Sequence, residues 1–439
     1  DPPYVKHCIF IVSFNRMRKQ TTLSLPAIVL SLAVLGWIGV SDLQAEPDPQ
    51  QWRPPSKSSS NLDAAVENDL TYLLDLVRVN TKSFATGHIR ALIDYCRKGH
   101  TNLEKDVPAM RFGGPGTVVH GRIRAPVEQI GQYLYNPRLP TYLMMPMMLR
   151  LSGWYPGSDL LSHDTAVWNA ARHAEPPLLL RGREFEVTTP DTRSGGYYRY
   201  DLDRLLISLN VDGLPVLISV SRAIEPSEVG KRAFIIDDEN WTYFYSNETG
   251  LSLNLVQWMD TYIYDTASVM IFHASEKDPG YTDVILFKWL NAGWLGMNVV
   301  RAEHIRQGSR RSVTHLKQIL ESENLPDPET LASRYARVRS LSDTDLDRLV
   351  SNYASHIEKA AMQHDELSGE EYEVVLQNGG YARLLKRPER IGAVMVEYLK
   401  QTLGKKSFIK PDLFDTLLTQ SPPALRDAPN VSVAKNRLR

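Results

Sequence analysis

The alternation of apolar and polar residues across 178–289 is that of consecutive β-strands. Segments rich in Tyr, Ile, Val, Phe and Trp are separated by clusters of turn-forming residues, which is typical of an antiparallel sheet. The clearest turn is Asp212-Gly213, because this dipeptide readily adopts the positive φ of a tight hairpin. The predicted strands are 178–188, 197–211, 215–224, 232–236, 240–246, 261–272 and 282–289.

The apolar face changes partway along the predicted strand 197–211. Apolar residues occupy even positions up to Leu202 and odd positions from Leu205 onward, so the sequence predicts a bulge at Asp203-Arg204. Charged residues are interspersed in the same strand, and we expect an exposed face of cross-strand ion pairs there rather than an acid–base pair. These charged residues are Arg199, Asp201, Asp203 and Arg204.

Helical periodicity flanks the strand region on both sides. An N-terminal helical segment at 61–112 ends at the glycine-rich turn 113–116, and a C-terminal helical segment covers 327–420. The turn lacks the Lys-Ser/Thr of a phosphate-binding loop. Three further predicted elements lie between the turn and the main run of strands: a strand at 117–124, a short helix at 127–135 and an apolar helix at 139–154 kinked by Pro146. A long amphipathic helix at 294–321 follows the last strand.

The N-terminal region has the pattern of a secretory signal that starts inside the given chain. Met17 is followed by two basic residues, an apolar run at 23–40 and a small residue, Ala45, suited to cleavage before Glu46. We therefore expect an upstream extension and signal at 1–45, a linker at 46–60 and an exported, periplasmic or secreted product. An uncleaved anchor is the alternative, since the run reaches the roughly 18 residues at which a span becomes possible. The tail 421–439 is rich in Pro.

Composition narrows the possible partners and compartment. The chain has 50 basic and 51 acidic residues, and removal of 1–45 leaves 46 and 49, so no nucleic-acid or anionic-membrane signature is present. Only Cys96 remains after processing, which excludes an internal disulfide and favours a bacterial envelope protein. Glycosylation-type triplets at Asn240, Asn247 and Asn430 leave a eukaryotic secreted protein open.

Sequence signals for catalysis and metal binding are weak. The chain contains no Gly-x-Ser-x-Gly, no His-Glu-x-x-His and no Rossmann or phosphate-loop glycine pattern. His304 and His315 are too far apart on one helix to share a metal, and the acidic run 237–239 fits a solvated hairpin loop better than a cation site. We therefore predict no catalytic residue, no metal and no cofactor.

The order strand, two helices, antiparallel strands and one long helix resembles the START-like, or Bet v 1-like, superfamily. The resemblance covers 116–322, and its residues are the strand-then-Pro start at Pro126, the helix pair, and the closing helix after the aromatic strand Leu286-Phe287-Lys288-Trp289-Leu290. It implies an α+β helix-grip fold, in which a curved antiparallel sheet wraps around the long C-terminal helix and encloses an apolar cavity.

Aromatic and methionine residues supply the candidate ligand site. Trp and Tyr side chains combine an apolar face with a polar tip, and Met adapts its shape to flexible ligands. We expect an apolar pocket of at least about 300 Å³ between the sheet and the closing helix, although a closed core would need the same residues. The candidate lining residues are Met144, Met148, Tyr198, Trp241, Tyr243, Trp289 and Trp294.

The leading functional hypothesis is therefore an exported binding protein for a hydrophobic small molecule such as a lipid or sterol. The alternatives are an enzyme of cyclase or hydrolase type that uses the same cavity, and an envelope interaction protein that binds a protein partner through its terminal helices. A His or carboxylate facing the cavity would favour the enzyme, and an all-apolar cavity would favour the carrier. The absence of a cavity would favour the interaction protein.

Overall fold

The computed structural model describes residues 60–80, 84–98, 106–162, 176–253, 256–364 and 379–418, together with 367, 375 and 377. All of these belong to the unit Lys57–Arg439. The predicted signal at 1–45, almost all of the linker 46–60 and the tail 421–439 lie outside the described residues. None of the helices in these ranges has both the length and the apolar composition of a bilayer-spanning segment.

The protein has an α+β fold with a large antiparallel sheet. Its strands are β1 Gly116–Ile123, β2 Leu149–Trp154, β3 Leu178–Thr188, β4 Ser194–Tyr197, β5 Arg199–Val211, β6 Leu214–Ala223, β7 Lys231–Asp237, β8 Thr242–Thr249, β9 Leu251–Leu253, β10 Val256–Met259, β11 Tyr262–Ala274, β12 Thr282–Trp294 and β13 Met297–Asn298. Eight described strands form the main sheet in the order β1-β12-β11-β6-β5-β3-β2, with β13 paired to the end of β12.

Two smaller sheets stand apart from the main one. Strands β4, β7 and β8 form a three-stranded sheet, and β9 pairs with β10. The expectation of a single sheet is therefore wrong for the predicted strands 232–236 and 240–246. Both edges of β6 are occupied, by β5 and β11. Strand β7 therefore pairs with β4, and β8 pairs with β7.

Helices lie before, between and after the strands. They are α1 Ala64–Leu76, α2 Arg90–Arg97, α3 Val127–Leu134, α4 Asp159–Ser162, α5 Ala302–Leu320, α6 Pro328–Ser340, α7 Asp343–Ala361, α8 Tyr381–Leu384, α9 Arg387–Thr402 and α10 Pro411–Leu418. Helices α1 and α2 lie within the predicted N-terminal helical segment 61–112, and α6 to α10 lie within the predicted C-terminal helical segment 327–420. In α7, Ser342 caps the first turn by accepting a hydrogen bond from the Asp345 amide.

Both faces of the main sheet are covered, each by different elements. Side chains alternate along a strand, so Phe287 and Trp289 of β12 pack with the apolar side chains of α1 and α2. Val284 and Leu286 of the same strand belong to the cluster that contains the apolar face of α5. We call the first side the outer face and the α5 side the inner face.

Helix α5 approaches the inner face at β1. A Cβ added at Gly121 would lie 2.2 Å from Cγ1 of Val313, so the glycine permits this close contact. Nearby, Nζ of Lys317 donates to the carbonyl oxygen of Arg122 at 2.8 Å. The second half of α5 is thereby fixed against one end of the sheet.

The predicted helix at 139–154 is wrong. The chain forms one 3-10 turn at Thr141–Leu143 and then strand β2. Pro140 and Pro146 lack amide donors and disfavour a helical residue before them, so a continuous helix would lose hydrogen bonds at both positions. The apolar run is explained by burial, since Met144 and Met147 are fully buried in the inner core.

The closing helix begins later than predicted. Strand β12 continues to Trp294, and the two-residue turn Leu295-Gly296 connects it to β13. Helix α5 then starts at Ala302. The apolar residues at 294–300 therefore belong to the β12–β13 hairpin and the segment after it. Their spacing is also compatible with the first turn of a helix, so periodicity alone does not separate the two structures.

The predicted bulge at Asp203-Arg204 is also absent, because β5 keeps its register with both β3 and β6 at these residues. Two-sided burial explains the change of apolar face instead. Leu202 lies on the inner face, whereas Leu205 and Ile207 lie on the outer face beneath the N-terminal helices.

Candidate functional site

A row of polar side chains crosses the inner face of the main sheet. Directly paired residues on neighbouring antiparallel strands share a face. The row runs through β1, β12, β11, β6 and β5 and consists of Thr117, Lys288, Ser268, Ser221 and Arg204. Ser221 and Ser268 are hydrogen-bonded through their hydroxyl groups at 2.7 Å.

Arg204 ends the row in a buried charge cluster. Its Nε donates to Glu184 at 2.7 Å, its Nη2 donates to Glu186 at 3.0 Å and its Nη1 donates to Ser219 at 2.9 Å. The Tyr200 hydroxyl donates to Glu186 at 2.6 Å. The expectation of an exposed ion-pair face is wrong for Arg204, whose side chain is 9% exposed, because its position on β5 faces inward.

Burial of the charge cluster disfavours the ionised form of Glu184. Desolvation raises the pKa of this carboxyl, and the charge of Arg204 opposes the rise. Its other oxygen accepts a hydrogen bond from Oγ1 of Thr141 at 3.2 Å. The carboxylate therefore depends on Arg204 for most of its compensation.

Lys288 differs from Arg204 because no carboxylate of the described residues lies in contact with its ammonium. Among the described residues, its ammonium has neither a hydrogen bond nor an ion pair, although the side chain is half-buried. Desolvation lowers the pKa of Lys288, while the charges of Glu186 and Asp191 raise it and that of Arg204 lowers it further. The N–H donors of this amine are therefore free of described protein acceptors and can donate hydrogen bonds to a bound group.

Asp191, in the loop after β3, is close enough for its charge to raise the pKa of Lys288. Its side chain is exposed, yet desolvation raises its pKa against the opposing charges of Arg311 and Lys288. The charges of Arg311 and Lys288 both act on this carboxyl, and we call the group formed by Asp191, Lys288 and Arg311 the recess. No described residue forms an ion pair with Asp191.

Helix α5 contributes Arg311 to the same recess. The guanidinium bonds to the carboxylate of Asp238 and donates to the Tyr243 hydroxyl at 3.0 Å. The turn predicted at 237–239 is confirmed between β7 and β8, but its Asp238 serves as the partner of Arg311 rather than as a purely solvated residue. Lys288 and Asp191 are thus the charges of the recess that lack direct partners.

Two of the seven predicted lining residues lie beside this recess. Tyr243 contacts Arg311 as described, and the Tyr198 hydroxyl donates to Oγ1 of Thr261 at 3.1 Å. Desolvation and the charge of Asp191 raise the pKa of Tyr198, although the bond to Thr261 lowers it. Of these two tyrosines, Tyr198 is the one whose pKa the charge of Asp191 raises.

The other five are dispersed. Trp241 donates from Nε1 to Nδ1 of His315 at 3.3 Å. Trp289 lies on the outer face, where its Nε1 donates to the carbonyl oxygen of Ala109 at 2.8 Å. Met144 is buried in the core, Met148 packs against it, and Trp294 lies in the β12–β13 hairpin.

The cavities found in the described part of the chain differ from the expected apolar pocket. Trp241 and Tyr243 line a cavity of about 40 Å³ with Arg150, whose guanidinium lies 3.9 Å from the ring centroid of Tyr245 and 3.1 Å from Glu389. This volume suits one or two water molecules. A larger cavity of about 370 Å³ is lined by Glu239, His315, Gln318, Ile319, Ser322, Leu403 and Lys405, none of which was predicted.

No group of three or more His, Cys, Asp or Glu side chains in the described ranges is placed to hold a metal ion. His304 is exposed on α5, while His315 is engaged by Trp241. Two glycosylation-type asparagines use their amide nitrogens within the fold: Asn247 donates to the Leu384 carbonyl at 2.9 Å and Asn240 to Asp237 at 2.7 Å.

Sequence reasoning missed Lys288, Asp191 and the two glutamates of β3. A signal for Lys288 existed, because it occupies an inward position in line with Val284 and Leu286, where an apolar residue is the rule. Nothing local distinguishes Asp191 from other loop carboxylates.

Comparison with known proteins adds no assignment. A scan against protein-family models found no match, and a search of the curated proteins also found none. The interpretation of the site therefore rests on its geometry and charge.

Proposed function

We propose that this chain binds a hydrophobic small molecule with an uncharged polar end, such as a sterol-like alcohol or ketone, between the inner face and α5. The observation that carries the proposal is the ammonium of Lys288, which no described residue pairs and which is half-buried on the inward face of β12. A ligand oxygen that accepts from this ammonium compensates the desolvation that lowers its pKa.

The charges of the recess favour a neutral ligand over a fatty acid. Three cations are set against four carboxylates, so a ligand carboxylate would add repulsion. A hydroxyl group can accept from Lys288 and donate to Asp191 at the same time. The cations are Lys288, Arg204 and Arg311, and the carboxylates are Glu184, Glu186, Asp191 and Asp238.

An apolar surface adjoins the polar row on the same face. Further along β12, Leu290 and Ala292 join a small cluster with Leu202, and Leu290 is only partly buried. The apolar body of the ligand would cover this surface, with burial contributing about 25 cal/mol per Å² removed from water.

The helix-grip arrangement and export are parts of the same proposal. Packing of α5 against β1 and the antiparallel main sheet support the START-like resemblance. The signal-like pattern before Glu46 supports a periplasmic or secreted carrier.

The decisive test compares Lys288→Met with Lys277→Met, because Lys277 is exposed in a loop away from the inner face. Delipidated proteins are titrated with a fluorescent sterol and with a fluorescent fatty acid. We expect the wild type to prefer the sterol and Lys288→Met to bind it about tenfold more weakly, as for the loss of one charged hydrogen bond. Lys277→Met should bind like the wild type.

Stability distinguishes a binding role of Lys288 from a structural one. Because the ammonium is desolvated without a contact partner, Lys288→Met should unfold at an equal or higher urea concentration than the wild type. Failure of either probe to bind the wild type, or equal sterol affinity in wild type and Lys288→Met, would refute the proposed site.

Enzymatic use of the same recess is the second candidate, favoured by the raised pKa of Asp191 beside an amine whose pKa is lowered. Such a pair can exchange a proton with a bound ligand. Mass spectrometry of ligand recovered after incubation tests this idea. Conversion by the wild type that Asp191→Asn abolishes, with binding retained, would replace the carrier by an enzyme.

A further inference from the structure

The β12–β13 hairpin presents apolar side chains to solvent at its tip. Leu295 is 80% exposed and Met297 is 45% exposed, placing them among the few large hydrophobic residues so exposed in the described part of the chain. Trp294 pairs with Met297 directly below the turn and is itself only partly buried. Three apolar side chains, two of them exposed and one partly buried, therefore lie together at one hairpin turn.

The backbone at this tip is strained. Leu295 has φ 50° and Gly296 has φ 76°, the signs that a two-residue hairpin turn requires at both positions. A leucine is disfavoured at positive φ, where Asn, Asp or Gly is usual. The β5–β6 hairpin of the same protein uses Asp212 (φ 55°) and Gly213 (φ 85°) for the same turn. The fold thus holds an apolar residue where a polar one would be both less strained and better solvated.

Neighbouring aromatic residues hold the tip in place. The hydroxyl oxygen of Tyr264 accepts a hydrogen bond from the Gly296 amide at 2.8 Å, and Tyr262 stacks on Tyr264 with ring centroids 6.1 Å apart. Trp and Tyr combine an apolar ring with a polar tip and favour the boundary between membrane and water. The hairpin therefore has apolar side chains at its tip and Tyr side chains behind them. This arrangement matches a lipid interface, where apolar groups enter the acyl region and Tyr lies at the boundary with water.

We propose that the Trp294–Met297 hairpin inserts into the surface of a lipid bilayer, independently of whether the inner face binds a ligand. A protein partner fits less well, because a stable interface buries about 800 Å² on each side, whereas even a Trp offers at most about 250 Å² and Leu and Met offer less. A bilayer needs only apolar area from a convex tip.

The insertion is apolar rather than electrostatic. The exposed charges that flank the hairpin elements in sequence are of both signs: Arg301 and Glu303 follow β13, and Asp260 precedes β11. We therefore expect binding to zwitterionic vesicles that does not decline with salt, in contrast to a basic surface patch.

A local probe separates this hairpin from other parts of the chain. In full-length protein with Cys8→Ser, an environment-sensitive fluorophore is attached at Met297→Cys or, as a matched control, at Met362→Cys, another exposed methionine. Cys96 is buried, and burial raises the pKa of its thiol, so it stays unlabelled. Phosphatidylcholine vesicles should shift the probe at 297 to the blue, and acyl-chain nitroxide lipids should quench it. The probe at 362 should not respond.

Leu295→Asn is the critical variant. It should weaken the response of the probe at 297 by about tenfold or more, as expected for removing one Leu side chain from an apolar environment, and it should raise the thermal midpoint because Asn tolerates positive φ. An unresponsive probe at 297, or an unchanged response in Leu295→Asn, would overturn the proposal. Binding only to anionic vesicles, or a wild-type dimer that Leu295→Asn dissociates, would likewise overturn it and identify a charged surface or a second copy instead.

Discussion

Replacing Arg204 by Met should be among the most destabilising single changes in this protein. The substitution removes the donor of three hydrogen bonds, to Glu184, Glu186 and Ser219. Glu184 is 1% exposed and would keep only its bond from Thr141. Two neighbouring carboxylates would then face each other in the interior without a cation in contact.

The expected loss follows from this geometry. Breaking a buried ion pair by removing one partner costs about 3–5 kcal/mol, and the free energy of unfolding should fall by that amount at pH 7. In the variant, the pKa of Glu184 rises further, so the folded state takes up a proton more readily than the unfolded chain. The loss should therefore shrink as the pH falls from about 7 to 5.

Urea unfolding followed by tryptophan fluorescence measures the effect. Arg204→Met combined with Glu184→Gln should recover a large part of the loss, because the uncompensated charge is removed with its partner. Arg138→Met is the control, since the Arg138–Glu329 pair is exposed and should contribute less than about 1 kcal/mol. If Arg204→Met costs no more than Arg138→Met, Glu184 is not a buried charge and the account of the inner face is wrong.

Two further predictions concern pH and close packing. Desolvation lowers the pKa of His273 and His315 below 6.5, so the unfolded chain binds more protons in mild acid, and stability should fall from pH 7 to 5. His273→Gln and His315→Gln should each flatten that dependence in urea titrations, and an unchanged slope in both would contradict it. Gly114→Ala should cost at least about 2 kcal/mol, because a Cβ there lies 2.1 Å from the Leu290 carbonyl oxygen. Gly87→Ala, which meets nothing within 4 Å, should cost much less in the same thermal melts.

Local signals determined most of the individual elements. The predicted strand 178–188 has the bounds of β3, and the Asp212-Gly213 turn has the positive φ values expected of it. The short helix after Pro126 is confirmed as α3. These elements depend on side-chain alternation, helix periodicity and turn preferences, which neighbouring residues encode by themselves.

The segments whose structure was predicted wrongly have local patterns that are compatible with two structures. The Met-rich run at 139–154 is apolar enough for a buried helix or a buried strand. Its two prolines disfavour a continuous helix, and the chain forms a 3-10 turn followed by β2. Likewise, the apolar pattern of residues 294–300 fits the end of a strand and the start of a helix equally well. The pattern of 197–211 predicts one buried face with a bulge, whereas β5 is buried on both faces without a bulge.

The candidate site depended on contacts that are distant in sequence. Arg204 is inward only because β5 lies between β3 and β6, and it is compensated only because β3 brings Glu184 and Glu186 beside it. Lys288 and Asp191 are nearly a hundred residues apart, and the loop after β3 brings Asp191 close enough for its charge to raise the pKa of Lys288. The sequence by itself determined the strands, helices and turns, since these follow from neighbours along the chain. Only the tertiary structure decided which charges are paired, because strand pairing and desolvation are set by residues brought together from across the chain.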